Sequence, residues 1–565
     1  MAFGVADKEK YRQHHLFVYF PLLLSPTMFL AASSHGRDDE AWSKPEKGLE
    51  DMLLIIGLLC SSLGLALVVN IFVKRKRRRI PQNNECVLPG PIGPPLIGQS
   101  FSLDMEKAYV DFTNLQEKYG DIYSLSLFGK NIVILGNAEY VRKAFSSKKY
   151  SPYLNDRPSS FLGHYIAQSY KDILLRRNDA KFDKVKNICM SAMHSFGDGC
   201  ASSRDAIAKE LHHVVSKFGR RNGTNVNPMD IINLSISNIT AIMFTGKRFD
   251  DTDPVVRCIA EFDDWGAKLI QPKTHSLLKT FPFLRYMPGK YREMYDHLVS
   301  GRSDISERLI TEMKKTYVPD QIQCLIHALM KAVEEERELG SHWLTDDYIL
   351  GTLMDLINTG GLTSKGVLSG LILIMAHSPV IQKKIREEII QVVGTARTPL
   401  TDDIEEMPYT HACILECLRF QSHLPLTAGH SNATCDVTFE GYFIPKDSVI
   451  YANLWSIHHD SRLWDAPWQF NPQRFLDSNG QILPITDPIR QSFLPFGVGN
   501  RVCVGKTMAI NRTFLYISNI LQNFEIQPPE GAVLPSMDPR HLVPGTVLQA
   551  PDFECRFTPL KTQSS

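Results

Sequence analysis

Apolar residues recur every three or four positions over most of the chain after residue 100, the spacing that places them on one face of an α-helix. Clear examples are Asp205–Lys217, Arg302–Lys315 and Ile381–Val393. Between Asp121 and Leu135 the pattern changes to apolar and polar alternation around Phe128-Gly129-Lys130, which predicts two short strands and a turn. The sequence therefore predicts a mainly α fold with a small β-sheet region.

One apolar segment near the start is long enough to cross a membrane. Met52–Val73 holds 22 residues without a charge, and at 1.5 Å per residue this length spans a hydrocarbon core of about 30 Å. The basic run Lys74–Arg79 follows directly, and such runs stay on the cytosolic side. We expect a single N-terminal transmembrane anchor with the rest of the chain in the cytosol. The alternative is a buried core helix followed by solvated charges.

The anchor divides the chain into four parts. The tail, residues 1–51, contains a weaker apolar stretch at 16–32 that is interrupted by Pro21 and Pro26. Three outcomes are compatible with this stretch: it is cleaved, it inserts into the membrane, or it follows the tail into the lumen. Residues 52–73 are the anchor, and residues 74–98 form a basic and proline-rich linker that predicts an extended connector. Residues 99–565 form one large domain, because no low-complexity linker or repeat divides them.

Composition narrows the class of protein. The 62 basic and 61 acidic residues give a net charge of +1, which does not indicate nucleic-acid binding. Eleven cysteines in a chain of this length suit a reduced compartment, and the pair Cys413 and Cys417 is expected to pack in the core. A cytosolic position also predicts that five glycosylation sequons stay unmodified: Asn222, Asn233, Asn238, Asn432 and Asn511.

The strongest chemical signal is the decapeptide of residues 496–505, Phe-Gly-Val-Gly-Asn-Arg-Val-Cys-Val-Gly. A thiolate that holds iron needs backbone N–H groups aimed at its sulfur, and glycine lets the chain pass close beneath a flat macrocycle. Arg501 is able to neutralise a heme carboxylate. By itself, Cys503 is also typical of a buried structural thiol.

Five positions match the cytochrome P450 pattern F-x-x-G-x-R-x-C-x-G: Phe496, Gly499, Arg501, Cys503 and Gly505. The chain therefore resembles a cytochrome P450 over roughly residues 87–560. The resemblance implies the cytochrome P450 fold and a heme b cofactor with Cys503 as the axial ligand of its iron. It also implies that the other four residues surround the cofactor.

Two further landmarks resemble the family. Glu416 and Arg419 lie three residues apart in a predicted helix, and Arg474 follows in a P-x-R-F-type segment. This combination resembles the buried charge triad that holds the heme-surrounding segments together. Phe182 and Lys186 occupy the place of a W-x-x-x-R helix, so Lys186 would offer a point charge to the heme, although a solvated lysine fits equally well.

A long apolar helix, Ile349–Met375, resembles the family's oxygen-activating pattern A/G-G-x-D/E-T with two departures. Gly360 and Thr363 match it, but Thr359 stands at the first position and Leu362 stands where the acid belongs. Two adjacent glycines cost about 1 kcal/mol each in a helix, which suggests a locally opened turn. Thr363 would relay a proton to dioxygen, whereas Leu362 cannot titrate. Without the motif, Thr363 is typical of a helix threonine that bonds its own backbone.

Three segments, Gly441–Lys446, Asn453–Asp460 and Arg474–Asp477, look like the animal microsomal group of steroid 17- and 21-hydroxylases and aryl-hydrocarbon hydroxylases. Within this group, the chain resembles the 17-hydroxylase/17,20-lyase branch most. The resemblance implies a monooxygenase of the endoplasmic reticulum membrane that acts on a lipophilic substrate, a sterol or steroid first. Its electrons would come from NADPH-cytochrome P450 reductase, with cytochrome b5 as a further candidate partner.

Two alternatives stay open. A P450-like isomerase, lyase or dehydratase would tolerate Leu362, because such an enzyme needs no proton relay. A non-catalytic heme-binding relative is the other. Substrate contacts are expected within residues 151–180, 250–288 and 422–430, where loops vary.

Overall fold

The computed structural model describes residues 85–94, 97–197, 200–201 and 203–560. The chain divides into two units, Met1–Arg78 and Arg79–Ser565. The tail, the predicted anchor at 52–73 and the basic run lie outside the described residues, so these assignments stay predictions. Within the proline-rich linker, residues 88–94 lie in neither a helix nor a strand.

Helices dominate the described part of the chain. The α-helices are α1 (Ala108–Tyr119), α2 (Ala138–Ser146), α3 (Ser151–Leu154), α4 (Ala180–Phe196), α5 (Arg204–Arg221), α6 (Met229–Thr245), α7 (Pro254–Leu269), α8 (Pro272–Thr280), α9 (Lys290–Ile305), α10 (Glu312–Lys314), α11 (Leu325–Glu338), α12 (Asp346–His377), α13 (Pro379–Val392), α14 (Pro408–Gln421), α15 (Leu454–His458), α16 (Pro488–Ser492) and α17 (Lys506–Asn523). Short π-helical turns lie at Leu162–Ile166 and Ser306–Thr311.

The strands are short and form three small sheets. They are β1 (Cys86–Val87), β2 (Ile122–Leu127), β3 (Lys130–Leu135), β4 (Asn225–Val226), β5 (His430–Ser431), β6 (Val437–Phe439), β7 (Tyr442–Ile444), β8 (Val449–Ala452), β9 (Phe524–Gln527) and β10 (Cys555–Pro559). The strand orders are β1-β7-β6, β4-β10-β9 and β2-β3-β8-β5. The predicted hairpin is confirmed, since β2 pairs antiparallel with β3 from Ile122 opposite Leu135 to Leu127 opposite Lys130.

The predicted helices are present, with one difference in extent. Helices α5 and α13 agree with the apolar spacing to within a few residues. The segment predicted as Arg302–Lys315 instead belongs to a helical path that begins at Lys290 in α9, passes through a π turn and ends in α10. Periodicity missed the first three turns because few residues between Lys290 and Arg302 are buried.

Helix α12 is the central core element. Among the helices of the described residues, α12 is the one that is long and apolar enough to span a membrane. However, 72% of its most apolar window is buried inside the protein. Its side chains belong to two large core clusters, one around α6, α14 and α17 and the other around α4, α9 and α11. This burial is what a core helix requires, because an apolar helix surface must face other apolar side chains.

Burial also bears on two of the sequence-based expectations. Cys413 and Cys417 are buried in the core, as predicted. The side-chain amides of Asn238 and Asn432 are buried and donate hydrogen bonds to backbone carbonyl groups, at 2.6 Å to Phe249 and at 2.9 Å to Pro445. Neither amide can carry a glycan in the folded protein.

The locally opened turn expected at Gly360-Gly361 is wrong, because α12 is a continuous α-helix from Asp346 to His377. The two glycines have different surroundings. A Cβ added to Gly361 would lie 2.4 Å from Oδ2 of Asp263 on α7, so this glycine admits a close neighbour. A Cβ added to Gly360 would meet no atom within 4 Å.

These surroundings predict opposite effects of two alanine substitutions. Gly361→Ala should destabilise the protein by about 1–3 kcal/mol, because overpacking forces α7 and α12 apart. Gly360→Ala should be neutral or stabilising by up to about 1 kcal/mol, since alanine favours the helix and meets open space. Thermal unfolding of both variants checks the prediction, and equal losses of stability would contradict it.

Candidate heme site

Cys503 lies between a short 3₁₀ turn, Gly499–Arg501, and the start of α17 at Lys506. Its backbone N–H donates a hydrogen bond of 2.9 Å to the carbonyl of Phe496, which closes the loop. The backbone N–H of Gly505 is directed at the sulfur. The loop therefore has the N–H donor that a thiolate ligand needs.

The Cys503 thiol is crowded by protein yet keeps an exposed face. Burial raises its pKa, while the Gly505 N–H and the Lys506 charge act in the opposite direction. The side chain is nevertheless exposed, unlike most of the described cysteines. The two observations agree if the sulfur faces open space inside the molecule, where a metal would ionise the thiol on binding.

Glycine is required at position 499 because the Cys503 loop passes very close to the backbone of α2. Gly499 has a φ of 71°, and a Cβ there would lie 1.9 Å from the carbonyl oxygen of Phe145 at the end of α2. The same carbonyl accepts a hydrogen bond of 3.0 Å from the side-chain amide of Asn155. The loop thus rests directly on the end of α2.

The predicted charge triad is assembled. Arg419 and Glu416 on α14 form a two-pronged ion pair, with Nε–Oε2 at 2.7 Å and Nη2–Oε1 at 2.8 Å. Arg474 approaches Oε1 of Glu416 at 3.3 Å. Glu416 and Arg419 are fully buried, so each charge depends on its partners.

Backbone groups complete the triad. Arg419 donates to the carbonyls of His458 at 2.7 Å and Pro467 at 2.9 Å, and the N–H of Asn471 donates to Glu416 at 2.9 Å. Arg474 donates to the carbonyl of Ala466 at 2.8 Å. The triad therefore ties α14 to the segment that leads into the Cys503 loop.

Arg501, Phe182 and Lys186 lie together behind this loop. The Arg501 guanidinium stacks 3.8 Å from the centre of the Phe182 ring on α4, which gives the ring a cation–π role. Lys186 donates to the backbone and side-chain oxygens of Asn500 at 2.9 and 2.6 Å, and burial lowers its pKa. Lys186 thus holds the Cys503 loop, a contact that the sequence did not predict.

Arg157 and His430 join this group, and the sequence analysis missed both. Arg157 is buried and donates to the carbonyls of Leu174, Ala428 and Gly429. His430, at the start of β5, stacks on the Phe145 ring with centroids 3.7 Å apart. Burial, Arg157 and Arg501 together lower the pKa of His430 well below its usual range, so the three groups are close neighbours.

These residues fit a cofactor that carries acidic groups. Within the described part of the chain, neither Arg157 nor Arg501 forms an ion pair within 4 Å, although arginine stays charged when it is buried. The buried Nδ1 atom of His430 has no hydrogen-bond partner. The carboxylates of Asp156 and Asp172 act on both arginines without forming a direct ion pair. Heme carboxylates would add a direct ion-pair partner for the arginines and a hydrogen-bond partner for His430.

A polar face of α12 lies among its buried faces. Thr359 is exposed, and Thr363 is half-buried one turn later. The Thr363 hydroxyl donates to the carbonyl of Thr359 at 2.5 Å, and Thr359 donates to Asp355 at 2.6 Å. Thr363 therefore forms the hydrogen bond that is usual for a helix threonine, from its hydroxyl to the carbonyl four residues earlier. Its oxygen is still able to accept a hydrogen bond.

The three segments expected to contact substrate all pack against α12. Asp355 accepts the N–H groups of Ile173 and Leu174 at 2.7 and 2.8 Å, which holds the first segment. The second contains α7 with Asp263, and the third contains His423, whose Nε2 lies 2.9 Å from the carbonyl of Gly366.

A further segment at α12 was not predicted. The side chain of Gln549 donates to the carbonyl of Leu362 at 3.2 Å, and Thr546 donates to the carbonyl of Ile270 at 2.5 Å. This segment, residues 546–549, lies outside the recognised motifs, so no sequence pattern predicted its contact with α12.

Comparisons with known proteins agree with this geometry. A family model described as cytochrome P450 matches residues 88–557. The steroid 17-alpha-hydroxylase/17,20 lyase of Squalus acanthias is 30% identical over 468 residues, covering 82% of this chain and 90% of that protein. Cytochrome P450 2B4 of Oryctolagus cuniculus is 29% identical over 477 residues, covering 83% and 93%. The vitamin D(3) 25-hydroxylase of Sus scrofa is 27% identical over 488 residues, covering 86% and 96%.

Removing the charge of Glu416 should cost the protein its heme. Glu416→Gln leaves two arginines without their counter-charge, and breaking a buried pair in this way costs about 3–5 kcal/mol. The ratio of heme to protein absorbance and the thermal midpoint should both fall. Glu387→Gln is the control, because its ion pair with Lys383 is long, at 3.8 Å, and exposed. Full heme content in Glu416→Gln would contradict the prediction.

Arg157 should matter for heme retention beyond its packing. Arg157→Gln removes a charge-assisted hydrogen bond worth about 1.5–3 kcal/mol, so heme transfer to apomyoglobin should accelerate about 10- to 100-fold. Arg142→Gln is the control, since Arg142 also bonds a backbone carbonyl, that of Gln491 at 2.8 Å. Equal transfer rates in both variants would contradict a role toward heme.

Proposed function

This chain belongs to the cytochrome P450 family, and on that premise we propose that it hydroxylates a lipophilic substrate, a sterol or steroid first and a xenobiotic or fatty acid second. Members of the family are monooxygenases that bind heme through a cysteine thiolate. The steroid proposal is supported by the relative from Squalus acanthias, whose name is that of a steroid hydroxylase.

The single observation that carries the proposal is the arrangement around Cys503. Its exposed sulfur, an N–H donor from Gly505 and a buried cationic group lie on segments that contact one another. A structural cysteine would need neither the exposure nor the unpaired cations. When bound, heme supplies the iron at which dioxygen is activated.

The residues of the chain would contribute in separate ways. Cys503 would hold the cofactor, and Arg501, Arg157 and His430 would orient its acidic groups. Gly360 leaves room on α12, because a Cβ there would meet no atom within 4 Å. The Thr363 hydroxyl, one turn further along, would accept and pass on a proton. Leu362 keeps the adjacent position apolar.

The electron source and the cellular place belong to the same proposal. No flavin or nicotinamide motif accompanies the domain, so electrons would come from NADPH-cytochrome P450 reductase, with cytochrome b5 as a second candidate. The apolar segment at 52–73 and the basic run after it support an anchor in the endoplasmic reticulum membrane with a cytosolic domain.

One observation favours a second candidate. Leu362 cannot deliver a proton, which suits an isomerase, lyase or dehydratase that acts on an already oxygenated substrate. Turnover of a hydroperoxide without NADPH would identify this class. Product formation that depends on NADPH and reductase would identify the monooxygenase.

Thiolate ligation is tested by the ferrous carbon monoxide spectrum. The wild-type protein should show the red-shifted Soret band of a thiolate-ligated heme, because the sulfur donates electron density to the iron. Cys503→Ala should lose this band. Cys413→Ala is the control, since Cys413 is buried in the core. A wild-type spectrum typical of a nitrogen ligand would contradict the proposal.

A further inference from the structure

Helices α7 and α12 approach each other so closely that each needs a glycine at the contact. A Cβ on Gly361 would lie 2.4 Å from Oδ2 of Asp263, and a Cβ on Gly266 would lie 2.2 Å from Oδ1 of Asn358. Asp263 on α7 therefore lies directly against the backbone of α12 at Gly361. This is the residue before Leu362, where the family pattern has an acid.

Asp263 belongs to a chain of charges that leads to the surface. Its Oδ2 pairs with Nζ of Lys365 at 2.9 Å, and the same Nζ pairs with Asp264 at 2.9 Å. The side-chain exposure rises along this chain, from 4% for Asp263 to 13% for Lys365 and 64% for Asp264. A proton lost by Asp263 can therefore be replaced from solvent.

The Asp263 carboxyl is also suited to hold a proton. Its Oδ1 atom is buried and has no hydrogen-bond partner. Burial raises its pKa to about 6, against the lowering effect of Lys365 and with a smaller raising effect of Asp264. A general acid works best when its pKa lies near the working pH.

Helix geometry relates this carboxyl to the polar face of α12. At about 100° per residue, Leu362 points about 60° from Lys365 on one side and about 60° from Thr359 on the other. Gly361 and Thr363 are about 3 Å apart along the axis but point about 160° apart. Gly360 lies between them on the helix surface, and a Cβ there would meet no atom within 4 Å, which leaves room for water. An acid at position 362 would thus stand between the α7 contact and the Thr359–Thr363 face.

We propose that Asp263 supplies the protons for which α12 has no acid at position 362, by transfer through water to the Thr363 face. The inference rests on the proposed monooxygenase function. In that reaction dioxygen takes two electrons from the reductase and two protons, and one oxygen atom leaves as water. The Asp263 carboxylic acid gives a proton to water beside Thr363, and the carboxylate regains one from solvent at the Lys365–Asp264 end.

The kinetic test compares Asp263→Asn with Glu261→Gln in the heme-loaded enzyme, because Glu261 is exposed on the same helix and lies outside the charge chain. Asp263→Asn should slow reductase-dependent NADPH oxidation about 100-fold, a typical contribution of a general acid, and increase the solvent deuterium isotope effect. Glu261→Gln should stay within about twofold of wild type, because it removes an exposed carboxylate that takes no part in the relay. Unchanged rate and isotope effect in Asp263→Asn would overturn the relay.

A rescue experiment separates proton supply from packing. Leu362→Glu should restore most of the rate in the Asp263→Asn background and change the wild type far less, which is a non-additive pair. If Asp263 were only a structural ion pair, the glutamate would restore nothing. A wild-type enzyme that binds heme but does not oxidise NADPH contradicts the proposed function, whereas an active wild type with an equally active Asp263→Asn contradicts only the relay.

An infrared measurement tests the same group without turnover. The ferric wild-type protein should show the C=O stretching band of a buried carboxylic acid that titrates near pH 6, following the pKa of Asp263 of about 6. The band should be absent in Asp263→Asn and present in Asp264→Asn. Should Asp263→Asn fail to fold, Lys365→Met should move the titration to higher pH, because Lys365 lowers the pKa of Asp263. The absence of a titrating band in the wild type would overturn the relay.

Discussion

Close backbone approach to α12 is the constraint on which the site depends. Four glycines of this helix lie close to neighbouring segments: Gly351, Gly361, Gly366 and Gly370. A Cβ added to the first, second or fourth would collide with residue 171, α7 or the end of α14, and a Cβ added to the third would lie 3.2 Å from Leu548. Together these contacts hold the predicted substrate segments against one helix. A core packed at this density leaves little freedom for its side chains, so the polar face of α12 is held in place by its apolar faces.

Charge is distributed unequally across the site. Buried cations, among them Arg157 and Arg501, gather near the Cys503 loop, and each bonds backbone carbonyls without an ion pair in the described residues. On the α7 side, the Asp263 carboxyl is held beside α12 with its own lysine. Burying a charge is costly unless something compensates it. The site is therefore matched to an acidic cofactor at one end and to proton supply at the other.

Local patterns predicted the elements and motifs whose signals lie close together in the chain. The β2–β3 hairpin follows from alternation within 121–135, and the Cys503 loop follows from glycine and arginine at set offsets. Arg157 and His430 escaped prediction because each is a single polar residue outside the recognised motifs. Their importance comes from neighbours hundreds of residues away. The continuous helix through Gly360 was mispredicted because sequence alone does not show which glycine admits a neighbour.

By itself, the sequence determined the fold class, the cysteine loop, the charged residues of the triad and the absence of an acid at position 362. These properties rest on residue identity and short spacing, which do not depend on distant contacts. Only the tertiary structure shows that Lys186 binds Asn500 and that Asp263 lies over Gly361. Such pairs depend on how helices cross, and the crossing is set by packing of the whole core.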